Sequence, residues 1–404
     1  MQITILCKVV DNFGDIGVVY RLAKQLKKIK PENQINLVVD DLLSFQKICS
    51  SVQCDVPFQE VESLNVYNWN ASDFCHKAFS ADDGALMPVI LECFQCGRPD
   101  WMERILFEEK LQRTVQIIMI DYLTAEKYAE DFHCLQSLTR SAKVQKVNFM
   151  PGFTEKTGGL VIDDAWTNLP EWNSDGPVLV FTYENDWGEL AAALADYCIA
   201  NGRKVLVAQG RGKESFMQAF AKVVSSPSIN SETATTFIEE LPYLNQTEWD
   251  EMMKGCSALV IRGEESMSRA CLSGIPFIWH AYPQSDEYQL VKVRALLERM
   301  KPHFDEEDFE IVSNAWLKIN GYNEVSLSGL TGQSAQDSDV QILDRVCFAN
   351  VAGASRGMTP NMYKQLFSSI PRLVPGFRDF AQSLRKNGDL CANLMTFIEK
   401  LAII

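Results

Sequence analysis

The chain opens on a nearly continuous apolar run, Ile3–Val10, which turns abruptly polar at Asp11-Asn12-Phe13-Gly14-Asp15. Beyond it Ile16, Val19, Leu22, Leu26 and Ile29 recur at helical spacing, with Arg21, Lys24, Lys27 and Lys28 on the opposite face. This predicts a strand, a tight loop and an amphipathic helix. A second apolar run, Ile35–Val39, ends at Asp40-Asp41. These runs lack alternation, which predicts a parallel sheet covered on both faces. Further strands are expected at Leu86–Ile90 and Gln116–Ile120. The first ~150 residues therefore read as a Rossmann-like α/β unit.

Residues 150–176 are rich in turn formers, with Pro151-Gly152, Gly158-Gly159, Pro170 and Asp175-Gly176, and read as an interdomain connection. The rhythm then restarts. Strands are expected at Pro177–Tyr183, Lys204–Ala208, Thr235–Ile238, Ala258–Ile261 and Pro276–Trp279. Helices are expected at Trp187–Ala200, up to Val224, at Gln246–Lys254, Glu265–Leu272 and Asp286–Met300. Residues 320–345 read as a loop or insertion, and Leu390–Ile404 as an amphipathic terminal segment. Two α/β units in tandem match the GT-B glycosyltransferase architecture, in which the donor binds between the domains. The expected division is 1–165 for an acceptor-side domain and 166–375 for a nucleotide-sugar domain. Residues 376–404 form a terminal helix that, by analogy, packs back on the first domain.

The length of 404 residues also asks for two or three domains at about 150 residues each. Charge narrows the partners: 38 basic against 53 acidic residues leave a net −15. Such a chain repels phosphate backbones, so nucleic-acid binding is not expected, although a local pocket can still hold a small phosphorylated ligand. The acidic surface suits a basic acceptor. No apolar run approaches the ~20 residues of a membrane span. Lys8 and Asp11 interrupt the first apolar stretch, so no signal peptide is expected. The twelve cysteines are scattered and fit thiols in a reducing cytoplasm. Cys93 and Cys96 have C-x-x-C spacing, but no second pair is placed to complete a zinc site.

Three segments could carry chemistry. Asp11-Asn12-Phe13-Gly14-Asp15-Ile16-Gly17 follows the first strand, where ligands of open α/β sheets bind. Gly14 and Gly17 allow close backbone approach, and two carboxylates four residues apart could supply a general base and its orienting group. Alternatively Asp15 only caps its helix. Arg262-Gly263-Glu264-Glu265-Ser266 joins a strand to a helix start, a ready anion site that a diphosphate would suit. Helix-dipole preference explains Glu265 equally well, but it disfavours Arg262. Phe277–Gln284 places aromatics at a strand end, either as core or as the wall of a base or sugar pocket. There is no G-x-G-x-x-G fingerprint, Walker A sequence or nucleophile elbow; Asp337-Ser338-Asp339 is a D-x-D inside the expected insertion.

Taken together, these segments resemble the EarP family of protein-arginine rhamnosyltransferases, which modify bacterial elongation factor P. The resemblance runs through Lys8–Val18, Arg21–Leu26, Asp121–Glu126, Pro151–Gly159, Thr182–Asn185, Leu241–Gln246, Arg262–Ser266 and Trp279–Gln284. It implies an inverting, metal-independent GT-B enzyme with dTDP-β-L-rhamnose as donor and no cofactor. Its acceptor is one arginine of elongation factor P, whose modification activates the factor for rescue of polyproline-stalled ribosomes. It further implies Asp15 as general base, with Asp11 and Glu264 as essential carboxylates. Donor contacts would come from Asn12, Phe13, Gly14, Gly17, Tyr183, Tyr243, Gln246, Arg262, Gly263, Glu265, Ser266 and Tyr282. The family usually has Asp at Glu265, Phe at Tyr243 and Trp at Tyr20, so the fine donor contacts differ while the chemical types persist.

That chemistry is demanding. Guanidinium has a pKa above ~12 and delocalised lone pairs, so it is a poor nucleophile. A carboxylate can hold it through paired hydrogen bonds and accept a proton as the C–N bond forms. Direct attack inverts the anomeric centre, and Arg262, Ser266 and helix-start amides would stabilise the departing diphosphate. The alternatives are a GT-B enzyme with another nucleotide sugar and a lipid or saccharide acceptor, or a non-catalytic nucleotide-sugar sensor.

Overall fold

The computed structural model describes residues 1–10, 14–80, 87–109, 111–225, 237–322 and 361–401. The first domain runs β1 (Gln2–Cys7), α1 (Gly14–Ile29), β2 (Gln34–Val39), α2 (Leu42–Ile48), β3 (Phe58–Val61), β4 (Leu64–Asn68) and α3 (Ser72–Ser80). It continues with β5 (Val89–Cys93), α4 (Asp100–Phe107), β6 (Val115–Ile120), α5 (Tyr128–Phe132), β7 (Gln136–Ser137) and β8 (Val144–Phe149). Its eight strands lie in the order β3-β4-β2-β1-β5-β6-β8-β7, parallel except for the β3–β4 and β7–β8 edge pairs.

The second domain runs β9 (Val178–Val180), α6 (Gly188–Asn201), β10 (Val205–Val207), α7 (Lys213–Val224), β11 (Ile238–Glu240), α8 (Gln246–Lys254) and β12 (Ala258–Arg262). Then come α9 (Glu264–Ser273), β13 (Phe277–His280), α10 (Tyr288–Met300), α11 (Glu306–Ile319), α12 (Met362–Lys386) and α13 (Leu390–Leu401). Its five strands are all parallel, in the order β11-β10-β9-β12-β13. Two parallel sheets that face a shared cleft are the GT-B arrangement that the repeated α/β rhythm predicts. The central strands β1, β9 and β12 are buried along almost their whole length, which is why their sequences are mostly apolar without alternation.

Several boundaries differ from expectation. The first strand ends at Cys7 because the next amides leave the ladder: Val9 N–H donates to Asp40 Oδ1 and Val10 N–H to Asp15 Oδ2 (2.8 Å each). The strand expected at Leu86–Ile90 is Val89–Cys93. Pro88 has no N–H to give the ladder and contributes only its carbonyl, to Gln116. Helix α10 starts at Tyr288 because Asp286 and Glu287 hold φ of +60° and +57°. The strand expected at Thr235–Ile238 is Ile238–Glu240; Thr235 and Thr236 lie outside the described residues. So do almost all of the 320–345 segment, including Asp337-Ser338-Asp339.

The position 375/376 falls inside α12, a single 25-residue helix that packs on α6, α9 and α11 of the second domain. The chain crosses back only after Gly388. Helix α13 lies on α1 and sends Leu390, Cys391, Leu394, Met395 and Ile398 into the first domain's core. The glycine pair of Pro151–Gly159 serves this crossing. Gly159 has φ +86°, and a Cβ there would sit 2.7 Å from the Gly388 carbonyl oxygen. A side chain would collide with the returning chain at the point where Leu390 N–H donates to Leu160 O. Among the described residues no helix is long and apolar enough to cross a membrane.

Candidate active site

Two helix starts face each other across the cleft. On the first domain, α1 follows β1 after an intervening segment, residues 8–13. Asp15 lies in its first turn, only 5% exposed. Its carboxylate is held from two sides: Oδ2 accepts from Val10 N–H, and Oδ1 accepts from the Tyr122 hydroxyl at 3.3 Å. Asp11, Asn12 and Phe13, expected to act beside it, lie outside the described residues.

On the second domain, β12 runs into α9 through Gly263. Its φ of +73° with ψ of 162° belongs to a region of backbone space that is essentially closed to any residue with a Cβ. A Cβ there would meet nothing within 4 Å, so the requirement is conformational rather than spatial. This turn delivers Glu264, Glu265 and Ser266 as the first turn of a ten-residue helix, whose leading amides have no intrahelical acceptor. Arg262, at the end of β12, lays its guanidinium over the rings of Phe181 and Tyr183, 4.5 Å from each centroid. These cation–π contacts place a fixed positive charge beside the helix start.

Around Arg262 the expected aromatic wall assembles. Tyr183 meets Tyr282 edge to face at 5.3 Å and His280 at the same distance. His280 Nδ1 accepts the Tyr183 backbone N–H, and burial together with the Arg262 charge lowers the imidazole pKa to about 4. The ring is therefore neutral at physiological pH and serves as an acceptor. Tyr282 is half exposed, and Tyr243, on the loop before α8, is 73% exposed.

The carboxylates converge from both domains. Burial raises the Glu264 pKa; Lys292, whose ammonium donates to Oε1 at 3.3 Å, opposes that rise, and the nearby charges of Asp15 and Asp121 add to it. A pocket of about 50 Å³ lies at this junction, lined among others by Val18, Phe94, Asp121, Leu160, Glu264 and Arg269.

Two expected donor-contact side chains are engaged between the domains. Gln246 Nε2 donates to Gly17 O at 2.7 Å. Glu265 Oε1 accepts from Arg21 Nε at 2.6 Å. Arg21 is not on a solvated face of α1, as the helical pattern implies, but is buried. Its guanidinium also bonds Asp250 of α8 (2.8 Å) and Asp163 of the connection. One arginine therefore ties α1 to both helices that frame the opposite side, and those carboxylates keep it firmly protonated despite its burial. Behind it Arg269 is buried, and its pKa is lowered by burial and by Arg21. Sequence reasoning misses Arg21, Tyr122, Asp121 and Lys292 as site residues. The only signals were the position of Arg21 in the segment after the glycine loop and of Tyr122 in Asp121–Glu126.

Among the described residues no group of three or more His, Cys, Asp or Glu is arranged to hold a metal ion. Burial pushes the Cys93 pKa well above its ordinary value and that of Cys96 to about 12, and the Cys96 thiol faces the carbonyls of Leu6 and Gly97.

Comparison with known proteins gives a consistent result. The family model described as "Elongation-Factor P (EF-P) rhamnosyltransferase EarP" matches residues 3–399. A protein-arginine rhamnosyltransferase of Shewanella oneidensis is 29% identical over 344 residues, covering 78% of this chain and 84% of that protein. One from Pseudomonas aeruginosa is 27% identical over 343 residues, covering 78% and 86%. A solved structure presented as the structural basis for EarP-mediated arginine glycosylation of translation elongation factor EF-P superposes with a TM-score of 0.53. It has 17% identity and covers 98% of each chain, a likeness of fold.

Proposed function

This chain belongs to the EarP family of elongation factor P rhamnosyltransferases, and on that premise we propose how its two helix starts divide the reaction. The protein is a protein-arginine rhamnosyltransferase that moves rhamnose onto an arginine side chain of elongation factor P. The donor we assign is dTDP-β-L-rhamnose, used with inversion and without a metal or cofactor. The setting is the cytoplasm, and the modified factor serves polyproline-stalled ribosomes.

The observation that carries this reading is the convergence of Asp15 with Glu264 and the α9 start across one cleft. Asp15 holds the acceptor guanidinium and takes its proton as the C–N bond forms. The Asp15 carboxylate stays ordered because Val10 N–H and Tyr122 grip it. Glu264, facing the same junction, positions the sugar or the guanidinium. Asp11 assists from the adjoining loop. As the anomeric C–O bond breaks, negative charge grows on the diphosphate. Arg262, the Ser266 hydroxyl and the amides of Gly263, Glu264 and Glu265 meet that charge. Tyr183, Tyr282 and Tyr243 face the nucleoside, and Asn12, Phe13, Gly14, Gly17 and Gln246 complete the donor-side loop. Because Glu265 binds Arg21, its part is to set the cleft geometry and to offer its backbone amide to the donor.

The test is incubation of the purified protein with elongation factor P and a panel of dTDP-, UDP- and GDP-sugars, followed by intact-mass analysis of the acceptor. The expected result is one deoxyhexose, mapped to a single arginine, with dTDP-β-L-rhamnose alone. A gain only with another donor, or on another residue, would overturn the donor or acceptor assignment.

A further inference from the structure

Two sequence features remain without a role: the Cys93-x-x-Cys96 spacing and the Asp121-Tyr122 pair. The structure brings them together at Asp15. We propose that Tyr122 is the positioning residue for the Asp15 carboxylate, and that the Cys93–Gly97 turn holds Tyr122 in place through Phe94. This rests on the reading of Asp15 as the base.

The Tyr122 hydroxyl donates to Asp15 Oδ1, while Val10 N–H occupies Oδ2. An ionised carboxylate has about four acceptor sites. A donor on each oxygen fixes the plane of the carboxylate that an incoming guanidinium meets. Tyr122 in turn is covered by Phe94, with ring centroids 4.6 Å apart and planes at 21°. Phe94 is held in an unusual backbone state. Its φ is +57° and that of Gln95 is +53°, left-handed values that aromatic and long side chains rarely adopt.

The surroundings enforce that state. Phe94 N–H donates to Ile120 O at 2.7 Å, Cys96 N–H donates to Cys93 O, and Gln95 Nε2 donates to Asp121 Oδ2 at 3.0 Å. The turn is therefore bonded to the two residues that precede Tyr122. Cys93 closes one end of this turn as a buried thiol and Cys96 the other as a partly buried one.

In the reaction a guanidinium nitrogen bonds the anomeric carbon, the bond to the diphosphate breaks, and the N–H proton passes to Asp15. Tyr122 keeps its own proton throughout. Burial and the nearby charges of Asp15 and Glu264 push its hydroxyl pKa upward, so it acts only as a donor. The other titratable groups that sense Asp15 are the thiols of Cys7 and Cys93 and the Glu264 carboxylate, while Asp11 lies outside the described residues.

Tyr122→Phe keeps the stack on Phe94 and removes only the hydroxyl. The expected result is a kcat roughly 10- to 100-fold lower, the usual weight of a hydrogen bond to a charged group. Loss of a donor to a carboxylate favours its protonated form, so the acidic limb of the kcat/KM profile moves up by about one pH unit. Donor affinity stays within about twofold. Phe94→Leu moves the same limb in the same direction by less. Wild-type kcat with an unmoved limb in Tyr122→Phe overturns the proposal. So does a loss of donor affinity and thermal stability with the limb unmoved, which is what mere packing would give. Asp15→Asn separates the two levels. If it retains transfer, the base reading itself fails. If it is inactive while Tyr122→Phe is unimpaired, the base reading stands and only the role of Tyr122 falls.

Discussion

The starts of α1 and α9 are built alike and charged oppositely. Each follows the carboxyl end of a buried parallel strand, each opens with an acidic first turn, and each faces the same cleft. At α1 the carboxylate of Asp15 is turned inward and gripped, so the site offers negative charge to a cation. At α9 the conformation of Gly263 exposes helix-start amides, Arg262 adds a fixed cation, and the acidic side chains are drawn off to Lys292 and Arg21. The same local fold therefore makes an anion site or a cation site according to where its carboxylates are held. A transferase joining a guanidinium to a sugar diphosphate needs one of each.

Each helix start can be disabled separately. The largest effect is expected from Asp15→Asn. Removing a general base costs about 10²- to 10⁴-fold in kcat, read by initial rates with donor saturating. Arg21→Ala follows. It strips the shared cation from Asp163, Asp250 and Glu265, and breaking a buried ion pair costs about 3–5 kcal/mol, measured by urea unfolding. An unchanged midpoint would show that Arg21 does not hold the domains in register. Third comes pH. His280 is neutral when folded, with its pKa lowered from 6.5 to about 4, so the unfolded chain binds the extra proton between these values. Stability should fall as pH drops from 6.5 toward 4, by up to about 3 kcal/mol for this residue, and stay level above 6.5. The difference between wild-type and His280→Gln unfolding curves across that range isolates it. Smallest is Gly263→Ala. Forcing a Cβ into its backbone region costs about 1–3 kcal/mol and should weaken donor binding, checked by thermal melts with and without dTDP.

The sequence made the scaffold legible where local chemistry was decisive. Helix α8 begins and ends as expected because Asn245 and Glu248 form a reciprocal capping box, and α6 stops at Gly202, which is left-handed at φ 62°. Nothing announces the β3–β4 hairpin, because Glu62 and Ser63 hold positive φ without a glycine to signal the turn. Helix α12 hides behind Pro371 and Pro375, which read as breakers. At the candidate site, the placement of Asp15, Arg262 and Glu264 beyond strand ends was legible from the strand–loop–helix pattern. Arg21 was not, because its partners are 142, 229 and 244 residues away, and a basic residue opposite an apolar stripe reads as solvated. Glu265 was read as a donor contact for the same reason, since its acceptor role toward Arg21 exists only once the domains meet.

The division between the two helix starts is tested most directly by titrating dTDP-β-L-rhamnose calorimetrically into Asp15→Asn and Arg262→Ala side by side. Asp15→Asn should bind the donor within about twofold of wild type although its kcat is about 10²- to 10⁴-fold lower, and Arg262→Ala should bind roughly 10- to 100-fold more weakly. Loss of donor binding in Asp15→Asn, or full affinity in Arg262→Ala, would contradict that division.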